Sequence, residues 1–132
     1  MKIPTYNVLE DERSAITASA RAAFGRDNSE LPPSSTEALD AAFAGAFDSF
    51  LDMYVTDSSD EWDKCAEQLL ALDSTGIGVL LSVPFEIARA ACDRTIEVSK
   101  SYSIEELART LSDLQQAGDR MAARLVQLYQ ER

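Results

Sequence analysis

Between residues 27 and 73 the chain places twelve carboxylates (Asp27, Glu30, Glu37, Asp40, Asp48, Asp52, Asp57, Asp60, Glu61, Asp63, Glu67 and Asp73) against one base, Lys64. That segment therefore carries −11, which is the net charge of the whole chain. The other 85 residues hold 11 acids and 11 bases and are neutral. Dense carboxylates support three kinds of chemistry: paired acid–base catalysis, hard-cation binding, and docking of a basic surface.

Catalysis is the weakest of these. There is no histidine in the chain, so Ser-His and Cys-His nucleophile pairs are absent. Two carboxylates acting as acid and base need a concave site and unequal burial. The spacing here predicts solvent faces instead, and we expect no catalytic residues. Metal chemistry is little better supported. Two cysteines, Cys65 and Cys92, stand 27 residues apart and make no zinc motif. Asp57-x-Ser59-x-Glu61 looks like the opening of a calcium loop. It has Trp62 where the turn needs glycine and Gln68 where a bidentate glutamate belongs. Gly76-x-Gly78 lacks the third glycine and the lysine of a phosphate loop. We expect no metal and no cofactor. Both cysteines fall on apolar helical faces and read as buried free thiols, with a disulfide between them as the alternative.

Docking of a basic partner remains. Glu37, Asp40, Ala44, Asp48 and Asp52 follow spacings of 3, 4, 4 and 4, which put them on one side of a helix. Asp60, Glu61, Asp63 and Glu67 follow on the next helix. Like charges at i,i+4 cost about 0.2–0.5 kcal/mol per pair, so stability does not explain the stripe. The expected binding residues are Glu37, Asp40, Asp48, Asp52, Asp60, Glu61, Asp63 and Glu67. Such a field repels nucleic acid and anionic membranes and attracts basic proteins. A solvated face that only keeps the protein soluble is the competing reading.

The elements that must position these residues are helices. No stretch alternates with period two, and capping patterns recur, which predicts an all-α bundle of about five helices forming one domain over 1–132. Asn7 caps a helix at about 8–24, with Val8, Ile16, Ala20 and Phe24 inward and Gly25 ending it. Ser34-x-x-Glu37 opens a second helix to about Tyr54. Its core stripe is Leu39, Phe43, Ala46, Phe47, Phe50 and Tyr54, and Gly45 implies close approach of another backbone. Ser58-x-x-Glu61 opens a third helix to about Leu72, with Trp62, Cys65, Ala66, Leu69 and Leu70 inward. Val79–Val83 reads as a buried turn. Pro84 begins a fourth helix to about 100, its inner face Phe85, Ala88, Ala91, Cys92 and Ile96. Ser103-x-x-Glu106 opens the last helix, about 104–130. Ile104, Leu107, Leu111, Leu114, Gly118, Met121, Leu125 and Leu128 form a heptad seam on it, expected to be the core of the bundle.

In general character, by size, acidity and helicity, the chain is similar to small acidic helical inhibitors. These include phage-encoded anti-CRISPR proteins and the immunity proteins of nuclease toxins. No residue role carries over from that likeness. It implies a non-catalytic module that occludes a basic, nucleic-acid-binding surface of a partner protein. The alternative is an adaptor bundle that homodimerises through Leu107, Leu111, Leu114, Met121, Leu125 and Leu128. The first residues lack the apolar run of a signal peptide and no membrane-length stretch follows, so a cytoplasmic location is expected.

Overall fold

The computed structural model describes residues 5–28, 36–71 and 77–132. These form seven helices: α1 (Thr5–Asp11), α2 (Arg13–Asp27), α3 (Thr36–Thr56), α4 (Asp60–Leu70), the single turn α5 (Ile77–Leu80), α6 (Ser82–Val98) and α7 (Ile104–Gln130). There is no strand among the described residues. The protein is an all-α bundle, as its periodicity predicts.

One-sided helices fold as their stripes dictate. On α3, Leu39, Phe43, Ala46, Phe47 and Phe50 are buried, and Phe43 meets Phe24 of α2 edge to face at 5.2 Å. On α4, Trp62, Cys65, Ala66, Leu69 and Leu70 all point inward. The expected single helix at 8–24 is longer and interrupted. It runs from Thr5 to Asp27 with a break at Glu12, whose carboxylate reaches Arg94 of α6 at 2.7 Å. Asn7 is therefore an interior residue rather than a cap, and Leu9 joins Ile16, Ala20 and Phe24 in the core. Gly25 also lies inside the helix. Asn28 closes it instead, its backbone and side-chain N–H groups both donating to the Phe24 carbonyl at 3.0 Å.

The caps divide. Ser103 accepts from the Glu106 backbone N–H at 3.2 Å, as its pattern predicts. Ser58 does not cap α4 through Glu61. Its hydroxyl accepts from the Asp60 N–H at 3.3 Å, while Ser59 is the N-cap residue and makes no side-chain cap bond. The reason lies one residue earlier. Asp57 closes α3 in the left-handed region, φ 61°, a conformation aspartate tolerates better than most residues. The Ser34 pattern, and the break at 74–76, lie outside the described residues.

α6 departs most from expectation. It packs against α2, α3 and α7, and buries Val83, Pro84, Ile87, Ala88, Ala90, Ala91, Cys92 and Thr95. Phe85 and Ile96, expected inside, are exposed. Pro84 sits in the first turn, third rather than first. The heptad seam is likewise split. Leu114, Gly118, Met121, Leu125 and Leu128 are buried within the single chain, so Leu114, Met121, Leu125 and Leu128 cannot form a dimer interface. Leu107 and Leu111 are only partly buried, and Ile104 is 86% exposed.

Two glycines behave oppositely. A methyl at Gly118 would lie 2.7 Å from the Ala88 Cβ and 3.4 Å from the Pro84 carbonyl oxygen, so α6 and α7 approach closely there. A methyl at Gly45 would meet only the Cys65 sulfur at 3.6 Å, an ordinary contact. The expected close backbone approach at Gly45 is thus absent. Gly45→Ala should gain up to about 1 kcal/mol from helix propensity. Gly118→Ala should lose stability by about 1 kcal/mol, since overpacking of roughly 1–3 kcal/mol exceeds the same gain. Thermal unfolding of the two variants checks this. A stabilised Gly118→Ala would show that α6 and α7 are not in contact at this point.

Candidate partner-binding face

The acidic stripe forms, but it is not bare. Glu37, Asp40, Asp48 and Asp52 lie on the outer side of α3, and arginines of α2 reach two of them. Arg21 Nε donates to Asp40 at 2.7 Å. Arg13 donates to Asp48 and to Glu10, and its guanidinium stands 4.9 Å from the centroid of the Phe47 ring. Its hydrogen bond to the Asp48 carboxylate pushes the Arg13 guanidinium further up, keeping it charged. Asp52 accepts from the Thr56 hydroxyl at 3.2 Å.

The acids of α4 diverge from this stripe. At 100° per residue, Asp63 lies about 160° around the helix from Cys65, whose thiol faces the Ala42 carbonyl of α3. Asp63 accordingly faces α7, where Arg124 grips it with two bonds at 2.8 and 3.1 Å. Arg120 pairs with Asp57 beside it. Among the described residues Glu61 holds only Lys64, one turn away at 3.7 Å. Glu37, Asp60 and Glu67 are exposed and pair with no base among the described residues.

The eight residues read from the sequence therefore do not make one field. Among the described residues, four arginines from the neutral remainder fold back onto the acidic segment and offset four of its eleven excess charges. No family model matches this chain, and neither does any curated protein or solved structure. What the surface offers must be judged from its own geometry.

Two shallow depressions flank Arg13 where α1 and α2 meet α3. One, about 430 Å³, is floored by Phe43 and Ala44 between Arg21 and Thr17. The other, about 330 Å³, is edged by Tyr6 and Val55, both half-exposed, with Glu10, Asp48 and Asp52 beside them. The Tyr6 hydroxyl donates to Glu10 at 3.2 Å, and that bond raises the phenol above its ordinary value. An apolar pair at the edge of an acidic stripe supplies the contact area that charge alone lacks. Sequence reasoning missed both residues, because Tyr6 and Val55 sit on helices whose ends it placed short.

Both thiols are free and buried, and burial pushes each up to about 11. Neither is a nucleophile near neutral pH. Among the described residues no three potential metal ligands gather, and no helix is long and apolar enough to cross a membrane.

Proposed function

We propose that this chain is a non-catalytic binding protein, an inhibitor that docks two acidic faces, the outer side of α3 and the diverging outer side of α4, on a basic surface of a partner protein, of the kind that otherwise contacts nucleic acid. One observation carries the reading. After every cross-helix ion pair among the described residues is counted, four of the segment's eleven excess charges are offset, and Glu37, Asp52, Asp60 and Glu67 are carboxylates left without a base among the described residues. The stripe repels itself along α3, and the fold compensates only part of it. The Tyr6–Val55 edge gives the apolar anchor, and the field gives fast, salt-sensitive association. Two acidic helices remain less dense than B-DNA, which carries one charge per about 1.7 Å, so the face complements a basic groove more than it copies a duplex.

The test follows from which acids are bridged. Reversing Glu37, Asp52, Asp60 and Glu67 to lysine should leave the fold intact, at under about 0.5 kcal/mol for each of the exposed Glu37, Asp60 and Glu67 and somewhat more for the half-buried Asp52. It should slow association and remove its salt dependence. Reversing Asp48 and Asp63 is a different experiment, because each lysine would face Arg13 or Arg124 and weaken the fold. The partner is captured from the native host lysate at low and high salt and identified by mass spectrometry. Equal capture by wild type and the fourfold variant at low ionic strength would reduce these carboxylates to a solubility feature.

A further inference from the structure

Away from the acidic stripe, α6 and α7 leave an open groove of about 310 Å³ between them. Along its α6 wall, beside Ala88 and Cys92, runs one row, Phe85, Arg89, Asp93 and Ile96, at spacings of 4, 4 and 3. Phe85 is 47% and Ile96 43% exposed, so the row presents apolar surface at both of its ends. Arg89 and Asp93 are exposed, and neither makes an ion pair among the described residues. The α6 row is thus neutral, with one base and one acid, unlike the stripe on α3, while the α7 wall of Leu111, Gln115 and Asp119 adds one further acid.

The order of the row points to another occupant. Arg89 and Asp93 lie two residues to either side of Ala91, and Phe85 and Ile96 lie six before and five after it. When α6 runs antiparallel to its own copy across a twofold axis at the level of Ala91, Arg89 meets the copy's Asp93 and Phe85 meets its Ile96, each twice. Leu111 lies at the same level, since the Cys92 thiol approaches the Leu111 carbonyl at 3.8 Å, and it faces its own counterpart near the axis. We propose that two copies of this chain pair through the α6–α7 groove as an isologous twofold dimer, completing a four-helix layer. Charge complementarity of the row with its own reverse carries the proposal. It does not rest on the acidic-face reading. α3 packs its inner side on α6 and α7, so such a dimer turns both acidic stripes outward, on opposite sides.

Sedimentation equilibrium of the full chain tests it. Wild type should reach twice the 14.5 kDa of one chain as concentration rises. Arg89→Asp alone and Asp93→Arg alone each convert two attractive pairs into two repulsive ones, and each should weaken the dimer by roughly a hundredfold. Mixed together, the two single variants should form a heterodimer, visible by native mass spectrometry, because both cross pairs are then opposite in sign. The double variant Arg89→Asp/Asp93→Arg should dimerise with itself. Circular dichroism confirms that each variant is folded. Phe85→Glu gives a second route, and it should leave a monomer. A wild type that stays monomeric overturns the proposal, and so does a dimer indifferent to the charge exchange, which would lie on another surface.

Discussion

Replacing Trp62 by alanine should cost roughly 3–5 kcal/mol, the largest single loss we expect in the molecule. The side chain is fully buried, and its indole Nε1 donates to the Met121 carbonyl at 2.8 Å. That bond ties α4 to the middle of α7, and the ring fills the space between them. Trp62→Ala removes the ring and leaves a void that backbone helices cannot close. Trp62→Phe should cost less, on the order of 1–2 kcal/mol, since most of the ring stays and the carbonyl keeps its helical partner. Because Trp62 is the sole tryptophan, unfolding must be followed by circular dichroism in urea. An unchanged m-value with a lowered midpoint is the expected form. A loss under about 1 kcal/mol would mean that α4 is not anchored on α7.

What the sequence reveals of this fold depends on how one-sided each helix is. α4 has a single apolar stripe bounded by charges, and all five inward residues are legible from spacing alone. α6 is rich in alanine and carries apolar residues all round, so two overlapping stripes compete. Choosing by size favours Phe85 and Ile96. The fold chooses Ile87, Ala90 and Thr95, because α6 must lie against three helices at once and small residues permit that approach. Such a choice is made by neighbours and is not written in the period of the helix itself.

The candidate site divides the same way. The carboxylates and their helical spacing are visible in the sequence, since a stripe is a local property. The arginines that neutralise part of it are not, since Arg13 and Asp48 are 35 residues apart, Arg124 and Asp63 61, and Arg120 and Asp57 63. A charge count by segment assigns −11 to one stretch of chain. Folding mixes that stretch with bases from α2 and α7, and only the folded sum describes the field a partner meets.

The seam of α7 makes the same point in energetic form. Its spacing is unbroken from Ile104 to Leu128, yet burial begins in earnest only at Leu114. Leu125 is fully buried, whereas Leu111 is only partly covered and borders the α6–α7 groove. Leu125→Ala should therefore cost about 2–5 kcal/mol, and Leu111→Ala, in dilute protein, on the order of 1 kcal/mol. The difference arises because a cavity penalty needs a closed surround, and a truncated Leu111 leaves a space that water enters. Urea unfolding at low protein concentration measures both. Equal costs would mean that the first turns of α7 are covered within the single chain, contrary to the exposure of Ile104. A gap that narrows as concentration rises is the behaviour of a side chain that finishes its burial against a second copy, and Leu111 is the seam residue placed to show it.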